Sequence, residues 1–154
     1  MEQLEDDELG RMHLSLFGTE LDAANLVRLR LAEHAVHTWD IAVSLDPSAR
    51  MDQNAVNLLI DTLDSMAPLV GNTRGRNVAI HVRTHDPDRH FLLTVGDKVD
   101  LSEETGGDAD SELRRSAECF LRLIYGRLDP NHQDEAQAIG SVTMDDVRNV
   151  FPGF

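Results

Sequence analysis

"NVAIHVRTHDPDRHFLLTV" (77–95) decides the fold. Val78, Ile80 and Val82 alternate with Ala79, His81 and Arg83, and the alternation resumes in Phe91, Leu93 and Val95. Residues two apart share one face of a strand, so this is a pair of strands with a single apolar face. "HDPDR" (85–89) between them is turn chemistry. His81 and Arg83 fall on the opposite side and read as solvent-facing. Working forward, "GDK" (96–98) turns into a short third strand around Val99–Leu101, and "SELRR" (111–115) is a candidate fourth. "SAECFLRLIYGRL" (116–128) is a helix capped near Ser116, with Phe120, Leu121 and Ile124 inward. "EAQAIGSV" (135–142) reads as a last strand, and "TMDDVRNVF" (143–151) as a short helix capped by Thr143.

Backward from residue 76 the apolar period is 3.6, not 2. "TELD" (19–22) places a cap hydroxyl at Thr19 and an acid three residues on, at Asp22. Nothing interrupts a helix from Glu20 to about Leu45, where "LDPSAR" (45–50) stops it at Pro47. A second helix is expected over about Asp52–Val70, with Val56, Leu59, Ile60, Leu63 and Met66 on one face. "GNTRGR" (71–76) closes the helical part. The expected class is α+β: two long helices, then a small antiparallel sheet with two helices. The division falls at 1–72 and 73–154, and the acidic first ten residues are expected to fray.

Composition narrows the partners. The chain has 154 residues and a net charge of −14 from 14 basic and 28 acidic side chains. Nucleic acid and anionic membranes are bound through Lys and Arg, so that balance argues against both. No apolar run approaches the roughly 20 residues of a membrane span. The beginning, "MEQLEDDELG", is acidic where a secretion signal is basic and then apolar. One cysteine, Cys119, permits no internal disulfide and suits a cytoplasmic setting. On its apolar helix Cys119 reads as buried and inert.

The constellation that carries chemistry is "RLAEHAVHTWDIA" (30–42). At about 100° per residue, Glu33, His37 and Asp40 share one arc of the helix with Leu26, Leu29 and Val36. His34 and Thr38 fall elsewhere, and Trp39 lies opposite, set to pack. An acid on an apolar arc needs a partner. Three arrangements supply one: an ion pair with Arg30, a shared hydrogen bond with His37, or a divalent metal. Glu and His four residues apart project in parallel, which is how a helix presents two metal ligands. Asp40 is then placed to orient the His37 imidazole from behind. Two ligands do not make a site, and His13 is the only upstream histidine. His81, His85, His90 and His132 read as ordinary strand or turn residues. Arg127, at a helix end, most simply meets that helix's carbonyls.

"ELDAANLVRLRLAEHAVHTWDIAVSLDP" (20–47) resembles the last helix of the DinB-like bundle in mycothiol-dependent maleylpyruvate isomerase-type proteins. "HVRTHDPDRHFLLTVG", "SAECFLRLIYGRLDP" and "VTMDDVRNVFPGF" resemble the sterol-carrier-like α+β domain that follows in that family. The resemblance implies that Glu33 and His37 are ligands of a divalent metal, zinc, with mycothiol meeting the metal as thiolate. It also implies a third ligand, a histidine from an early bundle helix, which this sequence does not contain. The chain then reads as a fragment or divergent member of a metal-dependent isomerase or thiol transferase. Its partner is expected to be a second copy, or a helical segment preceding it, covering apolar stripes such as Leu26/Leu29/Val36. The alternative is a non-catalytic module for a small apolar ligand, or for dimerisation. Phe91, Phe120, Leu121, Ile124 and Tyr125 are possible cavity walls for it, though simple core packing is the plainer reading of those five.

Overall fold

We describe a computed structural model of the chain, which describes residues 13–16, 19–104, 106–128 and 137–153. The expectations for the first ten residues and for His132 lie outside the described residues.

A short hairpin, β1 (His13–Leu16) and β2 (Thr19–Asp22), leads into helix α1 (Ala23–Leu45). The cap is Asp22 rather than Thr19. Its carboxylate accepts the Asn25 N–H at 2.7 Å, while Thr19–Asp22 pairs as a strand. The expected helix start was therefore one turn early, because "TELD" offers two caps and the hairpin takes the first. The segment expected as one second helix is three pieces: α2 (Gln53–Leu59), a 3₁₀ turn (Ile60–Thr62) and α3 (Leu63–Val70). Two hydroxyls account for the break. Thr62 Oγ1 donates to the Leu59 carbonyl at 2.7 Å, and Ser65 Oγ to that of Thr62 at 2.8 Å. Both compete with the backbone ladder, and Pro68 contributes no N–H to it.

The sheet has five strands in the order β5 (Val99–Glu103), β4 (Arg89–Val95), β3 (Val78–His85), β6 (Ser111–Ser116), β7 (Gln137–Gly140). It is mixed rather than antiparallel throughout: β6 runs parallel to β3, with Val82 opposite Leu113. The chain leaves the β5 edge and returns to the far end of β3, where Asp110 fixes the entry. Asp110 donates its N–H to the Ala79 carbonyl, and its carboxylate accepts the Ala79 N–H, both at 2.8 Å.

Alternation places Ile80, Val82, Phe91, Leu93, Val95, Leu101 and Leu113 on one buried face. Against that face lies α4 (Ala117–Ile124), capped by Ser116, which accepts the Cys119 N–H at 3.2 Å. Phe91 and Phe120 meet with ring centroids 5.6 Å apart. The five residues named above as possible cavity walls are all core, from fully buried Phe120 and Leu121 to Phe91 at 6% exposure. Ala32, Val36 and Trp39 of α1 belong to the same buried cluster as the sheet residues. Helix α5 (Met144–Val150) starts with a capping box between Thr143 and Asp146. Its end is tied to α3, since the Asn72 N–H donates to the Val150 carbonyl at 2.7 Å.

Candidate functional site

Helix α1 is packed on its Ala32/Val36/Trp39 side, which leaves Glu33, His34 and His37 on the exposed side. Glu33 and His37 do come together: His37 Nε2 is 3.3 Å from Glu33 Oε2, with side chains 50% and 61% exposed. Asp40 stands where the spacing put it, its Oδ2 3.2 Å from His37 Nδ1. So the three residues form one row along the helix, but on its wet side, not in an apolar stripe. Val36, which shares their arc on an ideal wheel, is buried, and Leu26 and Leu29 are half-buried. Zinc takes at least three protein groups. Among the described residues no group of three His, Cys, Asp or Glu side chains is arranged to hold a metal ion. Glu33 and His37 thus supply two ligands at most, and His13 is exposed on β1.

From Asp40 the row continues into the fold. Arg127 Nη2 lies 3.4 Å from Asp40 Oδ2, and its Nη1 donates to the Tyr125 carbonyl at 2.7 Å. Arg127 therefore meets the helix-end carbonyls, as its position implies, and also bridges α4 to α1. Tyr125 is buried, and its phenol is pushed up to about 12, first by that burial and then by the Glu33 charge. It stays neutral throughout the physiological range.

Arg127 and Asp40 stand at a cleft of about 400 Å³. Trp39 and Val43 of α1 form one wall, Leu123 and Gly126–Leu128 a second, and Arg148, Phe151 and Pro152 the third. The backbone explains why the walls meet. Gly126 ends α4 at φ +68, and a Cβ there would stand 2.2 Å from the Gly153 Cα. Only glycine allows both that conformation and the approach of the last strand of chain. Arg148 Nε donates to the Leu128 carbonyl at 2.9 Å, which ties α5 to the same corner. The lining is mostly apolar and includes Asp40 and two arginines, Arg127 and Arg148. Both guanidiniums are already paired with a carboxylate, Arg127 with Asp40 at 3.4 Å and Arg148 with Asp145 at 2.6 Å.

Behind the Trp39 wall lies a pair that the sequence reading missed. Glu118 and Arg122 are four residues apart on α4, 6% and 5% exposed, in a bidentate contact of 2.8 and 3.0 Å. Glu118 also accepts the Met51 N–H at 3.3 Å. The Arg122 guanidinium lies 4.7 Å over the Trp39 ring and reaches Cys119 Sγ at 3.1 Å. Trp39 Nε1 donates to the Ala49 carbonyl at 3.0 Å. The Glu118 carboxylate, the Arg122 Nε and Nη2 and the Trp39 Nε1 are thereby all held. The available signal was two opposite charges inside the otherwise apolar run "AECFLRLI".

On the outer sheet face His81 and Arg83 are not bare. His81 is 18% exposed beside Glu104, and Arg83 reaches Glu104, Glu112 and His90 at 3.3, 3.5 and 3.1 Å. They form an ion-pair network, where solvent was expected.

No family model matches this chain, and no curated protein matches it. A solved structure titled "UbiJ-SCP2 Ubiquinone synthesis protein" superposes over 60% of this chain and 90% of its own, with 17% sequence identity and a TM-score of 0.43. That likeness is too slight to bear on function. No helix among the described residues is long and apolar enough to cross a membrane.

Proposed function

We propose that the chain is a non-catalytic binding module that takes a small apolar molecule with an anionic end. The observation that carries this is the cleft, whose lining combines apolar Trp39, Val43, Leu123 and Phe151 with Arg127 and Arg148. Its volume lies within the roughly 300–1,000 Å³ of small-molecule sites, and a few polar groups above an apolar floor are their usual chemistry. The aliphatic part of the ligand is buried against the rings, and its carboxylate or equivalent sits on the guanidiniums.

A fluorescent fatty-acid displacement assay tests this. Saturable binding at micromolar concentrations is expected, about tenfold weaker in Arg127→Gln, while the corresponding fatty alcohol loses nothing. Absence of binding at tens of micromolar, or an Arg127→Gln variant indistinguishable from wild type, overturns it.

A second reading is favoured by one observation, the Glu33–His37–Asp40 row in which Asp40 orients the imidazole. On that reading Glu33 and His37 are two ligands of an inherited metal site, and a third must come from outside the described residues. Bound zinc per chain in wild type and His37→Ala decides it. Near-stoichiometric zinc lost in the variant supports it, and no zinc in either protein removes it.

A further inference from the structure

The face of α1 turned away from the core carries a second pattern. Ala24, Val27, Leu31, His34, Thr38, Ile41 and Leu45 follow one another at alternating spacings of three and four, the seam of a two-stranded coiled coil, and all are exposed except Leu31, which is half-buried against the edge of the core. Among the described residues nothing covers Val27, Ile41 and Leu45, which are 67%, 67% and 84% exposed. We propose that this seam is an interface between two copies of the chain, with the two α1 helices antiparallel.

Two features select a second copy and its direction. The first is that the seam is self-complementary about its middle. Reversed on itself, it sets Val27 against Leu45, Leu31 against Ile41, and His34 against Thr38, so apolar layers flank a polar centre, as a two-fold interface requires. The second is charge. Arg28 lies beside the seam near the helix start, and no basic residue occupies the last turn. Asp46, at the negative end of the helix, is on the same flank, and its carboxylate is held by the Ser48 amide and hydroxyl at 2.9 and 2.7 Å. Antiparallel pairing brings Arg28 of each copy to Asp46 and the helix C-terminus of the other. Parallel pairing would leave Arg28 and Asp46 at opposite ends of the seam, with no contact between them. The seam runs about 32 Å at 1.5 Å per residue, so the contact is modest and the dimer concentration-dependent.

Sedimentation velocity between 5 and 300 μM (roughly, the range in which such small interfaces dissociate) reads the first part. The expected result is a shift from 17.2 kDa towards twice that mass, abolished by Ile41→Glu with an unchanged circular dichroism spectrum. Disulfide cross-linking reads the direction. The Val27→Cys, Leu45→Cys double variant cross-links and neither single variant does. A monomer at the highest concentration, a dimer indifferent to Ile41→Glu, or cross-linking of the Val27→Cys single variant overturns the proposal.

Discussion

Helices α1 and α4 each carry a glutamate followed four residues later by a basic residue, and the two pairs have opposite fates. Glu33 and His37 sit half-exposed at 3.3 Å, while Glu118 and Arg122 sit almost wholly buried in a bidentate contact. Spacing is the same, so spacing did not decide which pair matters to the fold. The partners across the helix did. Glu118 and Arg122 face Met51, Cys119 and Trp39, all core, whereas Glu33 and His37 are half-exposed, with Asp40 as a further partner of His37. A buried pair is costly to form but far costlier to break, because removing one member strands the other. An exposed pair is close to neutral.

The sharpest way to break the contrast is at the buried pair. Glu118→Ala or Arg122→Ala is expected to lose about 3–5 kcal/mol of unfolding free energy in urea. A loss as small as that of an exposed pair would show that the two pairs do not differ in kind. Gly126→Ala comes next, at about 2–3 kcal/mol, because it adds a left-handed strain to a backbone collision with Gly153. It also displaces Phe151 and Pro152 from the cleft, so ligand binding falls with stability.

Smaller again is the α5 cap, where Thr143→Ala should cost about 1 kcal/mol. The pH dependence has a definite sign here. The Thr143 amide and hydroxyl, then Arg76 at 2.6 Å, hold the Asp146 carboxyl below its usual range. Arg89 does the same to Asp61. Both contributions are complete above the unfolded carboxylate value of about 3.9 and are lost as pH falls through the lower folded values. Thermal melts should therefore drop below about pH 4, less steeply in Asp61→Asn and Asp146→Asn. Smallest of all, Glu33→Ala and His37→Ala should each change stability by less than about 0.5 kcal/mol.

Much of this was legible from residue order. Period-two alternation placed Ile80, Val82, Phe91, Leu93 and Val95 inward, and Ser116 and Thr143 cap the helices they were read to cap. The Glu33–His37–Asp40 row was legible because helical neighbours are local. Its exposure was not, because which side of α1 meets the core depends on Val56, Leu59 and the α4 residues folded against it. The direction of β6 was hidden for the same reason: alternation is identical in parallel and antiparallel strands. The cleft was least visible. Trp39, Arg127 and Phe151 come from separate parts of the chain; the close approach at Gly126 and Gly153 joins the last two, and Arg122 over Trp39 and Arg127 against Asp40 bring α1 to them. The "FPGF" ending and "YGRL" each held a glycine needed for that approach, and neither motif by itself names its counterpart.

Trp39 is the only tryptophan in the chain and forms a wall of the cleft, so its emission reports directly on occupancy. Titration of the wild-type protein with an unlabelled medium-chain carboxylate, followed at the tryptophan, is the most direct test of the binding role. A saturable change in Trp39 emission, weakened in Arg127→Gln, is the predicted result. Emission that stays constant to the solubility limit of the carboxylate would contradict it.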